Sequence, residues 1–360
     1  MPDSYVTQTY GALGRRPCRL LSHADYPDLP HSFDQFFRAT WQPDAAPSVT
    51  VHRDVFVVGE RRQARLYDRD GYRIAGSDVP AMFPASEPAL ASVADRVDPA
   101  SFEGCRTVDE PVVFQSVFFW HWGHFLLESC ARLWAGLVAP ELAGLPSLFA
   151  WPKKIDFAGE PFLSYLAAAD VKWLHRGHGV TRLTECFAPD PTYASRTFTH
   201  AFQLKAPHRV ADRLLKTIRR DDAPVYLSRS RVSALGGAHR VIDNEIEFEQ
   251  RLAACGVHIA HMQEMTFVEQ IEMMNGRRVF IGPWGSALHN TLFSLVGAEI
   301  TTFVLMETER PTNFLLIDNI VGNAAHYLCV LLNAGVEGEV THLNLDIETT
   351  LEYLRGCGVL

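Results

Sequence analysis

From Pro224 onward the chain alternates between short runs that suit a buried strand and longer runs that suit a helix, and this restricts the fold more than any other feature. Val225–Ser228 reads as a strand, Asn244–Cys255 as a helix stopped by Gly256, and Val257–Ala260 as a second strand. The next helix opens with Thr266-Phe-Val-Glu269, a capping box in which hydroxyl and carboxylate satisfy free amides of the first turn, and it stops near Asn275-Gly276. Val279–Ile281 is then a strand, Ser286–Val296 a helix and Ile300–Leu305 a further strand. Three strand–helix–strand units with short connections require a parallel sheet covered by helices on both faces. In such doubly wound sheets ligands bind at the carboxyl ends of the strands, so the residues just after each strand are the ones to examine.

The rest of the chain is read around that domain. At 360 residues it exceeds the usual size of one domain. We expect an N-terminal domain over residues 1–210, a C-terminal Rossmann-like domain over 211–345 and a tail or helix over 346–360. Within the first, residues 1–110 combine short β-like runs (Val49–Val51, Val55–Val58) with turn-rich stretches at Tyr26–His31 and Trp41–Ser48, which predicts an irregular, β-rich entry. Residues 111–210 read as α/β: PVVFQSVFF is a buried-strand run, and Gly123–Leu137 has helical apolar spacing.

Charge and cysteine usage exclude several classes. Lys plus Arg number 33 against 42 Asp plus Glu, a net charge of −9, which lacks the basic field of a general nucleic-acid binder. Seven widely spaced cysteines with no C-x-x-C fit reduced thiols, hence a cytoplasmic protein. The first residues hold no apolar secretory core, and no run of about 20 apolar residues could cross a bilayer. Peripheral contact with the inner membrane face stays open through a helical pattern over His208–Arg220 carrying Arg209, Arg213, Lys216, Arg219 and Arg220; a solvated helix face is the plainer reading, because most such runs are only that.

Three groups of residues at strand ends can carry chemistry. After the first strand of the C-terminal domain comes Arg229-Ser230-Arg231, with Arg240 and Asn244-Glu245 beyond a Gly236-Gly237 turn. The planar fork of arginine pairs with two phosphate oxygens at once, so these residues suit a diphosphate; exposed surface arginines are the plain alternative. After the third strand, Gly282 and Gly285 permit a tight turn, and Ser286 can cap a helix whose free amides favour an anion. After the fourth stands Glu307, where a carboxylate could accept from a ribose.

The remaining constellation is HWGHFLLESCARLW. On a helix His124, Glu128 and Arg132 advance only about 40° per step and form one polar stripe. Glu128 could fix one tautomer of His124 and stabilise its protonated form, as a general base requires. A salt-bridge ladder, or a metal site that adds His121, are the alternatives. His175-x-x-His178 and His258-x-x-His261 lack an obvious third ligand.

Taken in order, HWGHFLLESCARLW, YLSRSR, HRVIDNE, QEMTFVEQIEMM and VFIGPWGSALHNTLF, spanning Trp120 to about Leu305, resemble glycosyltransferase family 61, which includes xylosyl- and N-acetylglucosaminyltransferases and bacterial proteins of capsular polysaccharide synthesis. The family's aromatic-Gly-His-Phe segment is matched by Gly123, His124 and Phe125, followed by Glu128 and Arg132. Its Ser-Arg element is matched by Ser228-Arg229, its Arg…Asn-Glu element by Arg240, Asn244 and Glu245, and its Gln by Gln270. The resemblance implies a GT-B-like fold, two Rossmann-like domains facing across a cleft, and metal-independent, inverting transfer from a nucleotide sugar to a glycan or glycolipid acceptor, with no cofactor. His124 would be the base, oriented by Glu128. The donor would meet Arg229, Arg240, Asn244, Glu245, Gly282, Trp284, Gly285, Ser286, Asn290 and Glu307. One departure matters: the family's Gly-x-His-Gly-Ala-Gly-Leu-Thr-Asn reads here as Gly282-Pro283-Trp284-Gly285-Ser286-Ala287-Leu288-His289-Asn290, with Trp284 in place of His. Trp284 could stack on a base or sugar, or fill the core beside Phe293. A binder of nucleotide sugar or glycan that keeps the fold without the chemistry is the alternative function.

Overall fold

The computed structural model describes residues 5–13, 16–23, 33–34, 37, 44–60, 63–77, 96–150, 161–176, 179–195, 197–232, 240–295, 299–307 and 312–360. The Gly236-Gly237 turn, the Tyr26–His31 stretch and His178 lie outside them. The chain forms two compact units, residues 41–213 and residues 1–40 together with 214–360.

The second unit carries a seven-stranded sheet in the order Tyr5–Leu13, Arg16–His23, Ala324–Cys329, Thr301–Met306, Val279–Pro283, Val225–Leu227, His258–Ala260. All neighbours are parallel except the first pair. Numbering strands from Val225, the order is 2-1-3-4-5, so the winding reverses between Val225–Leu227 and Val279–Pro283. Side chains along each strand alternate between two cores. Val225, Leu227, Phe280, Val304 and Met306 join the core closed by Met274, Phe314 and Leu315. Tyr226, Ile281, Phe303 and Leu305 join the one closed by Phe248, Leu252, Leu351 and Leu354. The helices Phe267–Gly276 and Thr312–Val321 thus cover one face, and Glu245–Ala254 and Ile347–Gly356 the other. A small sheet, Arg240–Ile242, Val340–Leu345 and Leu331–Glu337, adjoins.

The expected strands and the first two helices are found, and the Thr266 capping box is formed in both directions. Three details differ. The helix expected over Ser286–Val296 is a single 3-10 segment, Leu288–Phe293. The basic run over His208–Arg220 is not one helix, because the helix Lys205–Leu214 ends early and the Arg219 carbonyl packs against Gly276, where a Cβ would meet it at 2.5 Å. Arg209 and Arg213 both pair with Asp170. Third, Tyr5–Leu13 and Arg16–His23, expected with the N-terminal domain, extend the sheet of the second unit: Arg16–His23 pairs in parallel with Ala324–Cys329.

The unit of residues 41–213 holds a mixed sheet in the order Gln63–Tyr67, Val49–Glu60, Gly179–Pro189, Val112–Val117, Ser147–Ala150, Trp173–Arg176, with Arg106–Val108 also on Gly179–Pro189. The two short runs expected at Val49–Val51 and Val55–Val58 are one 12-residue strand that keeps a single register with Gly179–Pro189 on both sides of Asp54, which takes φ 52°. No described helix is long and apolar enough to cross a membrane.

Candidate functional site

The chain enters the HWGHFLLE segment from Val112–Val117, whose pairing with Ser147–Ala150 slips by one residue between Phe114 and Ser116. Ser116 sits at φ 75°, a left-handed conformation that a non-glycine residue adopts only when its surroundings impose it. Such a bulge redirects the chain that leaves the strand. Phe118 and Phe119 are then buried, Trp120 is 72% exposed, and a helical turn begins at Trp122.

That turn is not a regular α-helix. Trp122–His124 is α-helical, Phe125–Ser129 is a π-turn with Cys130 N donating to Phe125 O at 3.0 Å, and α-helix resumes at Trp134–Val138. A π-turn releases carbonyls from their usual donors, and in a buried segment they need replacements. Gln203 supplies them: its Nε2 donates to Leu126 O at 2.8 Å and to Leu127 O at 3.2 Å. The Thr192 hydroxyl donates to Gln203 Oε1 at 2.5 Å, and Ser129 Oγ accepts from Phe119 N at 2.7 Å.

On this segment His124 Nδ1 lies 3.2 Å from Glu128 Oε1 and 3.3 Å from Oε2. The Glu128 side chain has no exposed surface, whereas a third of the His124 side chain is open. Burial pushes the Glu128 carboxyl up from its ordinary value, and the hydrogen bond from His124 opposes that rise. With Nδ1–H engaged by the carboxyl, Nε2 is the nitrogen left with a lone pair, the arrangement of an oriented base. Arg132 is not the third member of the stripe. The extra residue in the π-turn rotates position 132 away from that face, and Arg132 points inward, donating to Pro189 O at 2.9 Å and Gly76 O at 3.2 Å. The His121 ring centroid is 5.1 Å from that of His124; among the described residues no three His, Cys, Asp or Glu are grouped to hold a metal ion.

In the other unit a cavity of about 240 Å³ opens at the reversal point of the sheet. Arg229 enters it from the end of Val225–Leu227, Pro283 and Trp284 from the end of Val279–Pro283, and Arg240 from the small sheet. Among the described residues no carboxylate forms an ion pair with Arg229. Burial lowers its pKa, Glu245 opposes this, and the charge of Arg240 adds to the lowering. Two partly desolvated like charges facing one cavity favour an anion between them. Gly285 stands beside Arg229, whose Nη1 would lie 3.8 Å from a Cβ there.

The other expected donor residues divide by what they touch. Glu245 is 2% exposed, and its Oε1 accepts from Arg229 N at 2.7 Å and from the Tyr226 hydroxyl at 2.9 Å, so it fixes the strand end that carries Arg229. Asn244 is tied in both directions to the backbone of Leu345. Asn290 donates to Gln270, which in turn holds Met262 O and Met265 O. These two amides brace loops from behind. Gly282 allows close strand contact, since a Cβ would stand 3.2 Å from the Cβ of Leu227. Ser286 is not the cap of the following segment; Ala287 holds that position, and no side-chain cap bond forms there. Glu307 pairs with Arg240, Oε1 to Nε, at 3.4 Å. Trp284 is partly buried and packs against both cores of the sheet, and the Arg240 guanidinium carbon lies 4.3 Å from the centroid of its ring.

Sequence reasoning missed Gln203 and the wall formed by Val241, Ile242, Leu331 and Leu343. No local pattern marks them, because each acts on residues far away in the chain.

The protein-family model described as Glycosyltransferase 61 matches residues 122–304, just over half of the chain. The chain belongs to glycosyltransferase family 61. It is therefore a glycosyltransferase, an enzyme that moves a sugar from a donor to an acceptor, in general a glycan. The matched residues take in His124, Glu128, Arg229, Arg240 and Trp284 and stop three residues short of Glu307. No curated protein matches the chain.

Proposed function

We propose that this family 61 enzyme is an inverting glycosyltransferase using a nucleotide-sugar donor, with the donor diphosphate held by Arg229 and Arg240. The observation that carries the reading is the pair of arginines facing one cavity at the reversal point of a parallel sheet. In the reaction His124 Nε2 takes the proton of an acceptor hydroxyl, and the freed oxygen attacks the anomeric carbon of the donor. The bond from that carbon to the diphosphate oxygen breaks, its electron pair leaves on the diphosphate, and Arg229 and Arg240 stabilise the charge that accumulates there. One displacement from the opposite side inverts the anomeric centre. The arginines supply the positive charge at the leaving group, so the step as written needs no metal or organic cofactor.

The finer architecture that this reading calls for is GT-B-like, one Rossmann-like unit for the donor and one for the acceptor. As a setting we take bacterial capsular or extracellular polysaccharide synthesis in the cytoplasm, supported by the resemblance of the motifs. The test is calorimetry of the full chain against a panel of nucleoside diphosphate sugars, followed by product analysis with an acceptor mixture and assignment of the new anomeric bond. Retention at that bond, or binding that survives Arg229→Ala with Arg240→Ala, would overturn the proposal.

A further inference from the structure

Trp284 occupies the position where the family resemblance leads one to expect a histidine, and its surroundings assign it a different task from polar contact. Its backbone N–H donates to Leu305 O at 2.8 Å, and its ring packs against both cores of the sheet, so the indole is a fixed surface at the cavity wall. The guanidinium of Arg240 lies over that surface at 4.3 Å. Stacking engages the face of a guanidinium and leaves its N–H donors, which lie in the plane, available at the edges. A long side chain of many rotamers is thereby held at the cavity that it lines.

One edge already has an anion. Arg240 Nε stands 3.4 Å from Glu307 Oε1, longer than the 2.7–2.9 Å or so of a good charge-assisted hydrogen bond. The contact is an ion pair without a well-formed hydrogen bond, and it places a carboxylate where a phosphate oxygen would compete for the same fork. Glu307 was expected to accept from a ribose; the geometry instead turns it toward the arginine.

We propose that Trp284 is a positioning residue that holds the Arg240 guanidinium for an anionic ligand, and that Glu307 is the counter-ion a diphosphate displaces. The proposal rests on the donor reading above and adds to it which residues preset the phosphate clamp. It predicts that apolar bulk at position 284 is insufficient and an aromatic face is required, and that neutralising Glu307 tightens binding of a diphosphate lacking any ribose.

The probe is inorganic pyrophosphate, titrated into the full chain by calorimetry, with the fold of each variant checked by circular dichroism. Trp284→Leu should weaken pyrophosphate about three- to tenfold, the range of one cation–π contact, whereas Trp284→Phe should stay within about twofold of wild type. Arg240→Ala should weaken it further, and adding Trp284→Leu to Arg240→Ala should change nothing more. Glu307→Gln should tighten binding about threefold. Equal affinity of wild type and Trp284→Leu, an undiminished effect of Trp284→Leu without Arg240, or unchanged or weaker binding in Glu307→Gln would each overturn the proposal. Those outcomes leave the donor reading intact. Absence of pyrophosphate binding by the wild-type chain removes both.

Discussion

His124 Nδ1 and the carboxyl of Glu128 meet at 3.2 Å, with the carboxyl wholly buried and the imidazole partly open. One ring nitrogen is thus committed to the protein, and the other is the one that can take a proton from an acceptor. His124→Ala should lower kcat by about 10²–10⁴ with a much smaller change in donor affinity. Glu128→Gln keeps an acceptor for Nδ1–H but removes the charge that favours the imidazolium, so a loss of only about tenfold is expected. Because burial raises the carboxyl's own pKa, the difference between wild type and Glu128→Gln should exist above that pKa and close as Glu128 takes up a proton. A pH profile of both proteins checks this; near-wild-type turnover by His124→Ala would sink the base assignment.

The π-turn that presents this pair depends on Gln203, which satisfies two buried carbonyls at once. Gln203→Leu fills similar space and leaves both without a donor, which should cost about 2–4 kcal/mol of stability. If the turn relaxes toward regular helix as a result, kcat should fall while the affinity for a nucleoside diphosphate stays unchanged, since the cavity proposed for it is lined by residues of the other unit. Urea denaturation with paired binding and turnover measurements tests both parts. Unaltered stability would mean that the carbonyls find other partners.

How much of this was legible in the sequence depends on the distance over which each feature is determined. The parallel sheet was readable because Val225–Leu227, Val279–Pro283 and the capping box at Thr266 carry local signals of period and termination. Arg229 was readable for the same reason, as a residue placed just past a strand end. Arg132 was misread because the π-turn before it is determined by Gln203 and Thr192, about 60 residues or more downstream. The same holds for Arg16–His23, whose partner strand lies some 300 residues away, and for Arg240–Ile242, which pairs with Val340–Leu345. Glu245, Asn244 and Asn290 have the chemistry of ligand contacts, and only their hydrogen bonds show that they brace the site.

Ser116 offers a test of the strand bulge that precedes His124. Its φ of 75° costs a non-glycine residue about 1–3 kcal/mol, and among the described residues its buried hydroxyl has no partner to lose. Glycine adopts that conformation freely at an unfolded-state entropy cost of about 0.5–1 kcal/mol. Ser116→Gly should therefore stabilise the chain by roughly 0.5–2 kcal/mol, and Ser116→Val, β-branched in the same conformation, should destabilise it by more. Chemical denaturation of the three proteins gives the order; a destabilised Ser116→Gly would show that the bulge is not strained.

Asp318 provides a pH-dependent measure of the second unit. It is buried in the helix Thr312–Val321, accepts from the Tyr327 hydroxyl and from Asn323 Nδ2 at 2.6 Å, and desolvation lifts its pKa to about 6. The native state therefore keeps a proton that the unfolded chain releases near pH 3.8. The stability this contributes is fully present below that pH and is lost as pH rises through about 6. A shift of this size corresponds to roughly 3 kcal/mol. Asp318→Asn cannot ionise, so the stability difference, variant minus wild type, should rise by about that amount between pH 4 and pH 7 and then level off. Denaturation midpoints of both proteins across that range measure the difference directly. A flat difference would mean that Tyr327 and Asn323 hold Asp318 as a carboxylate throughout, and a falling one would place its pKa below that of a free aspartate.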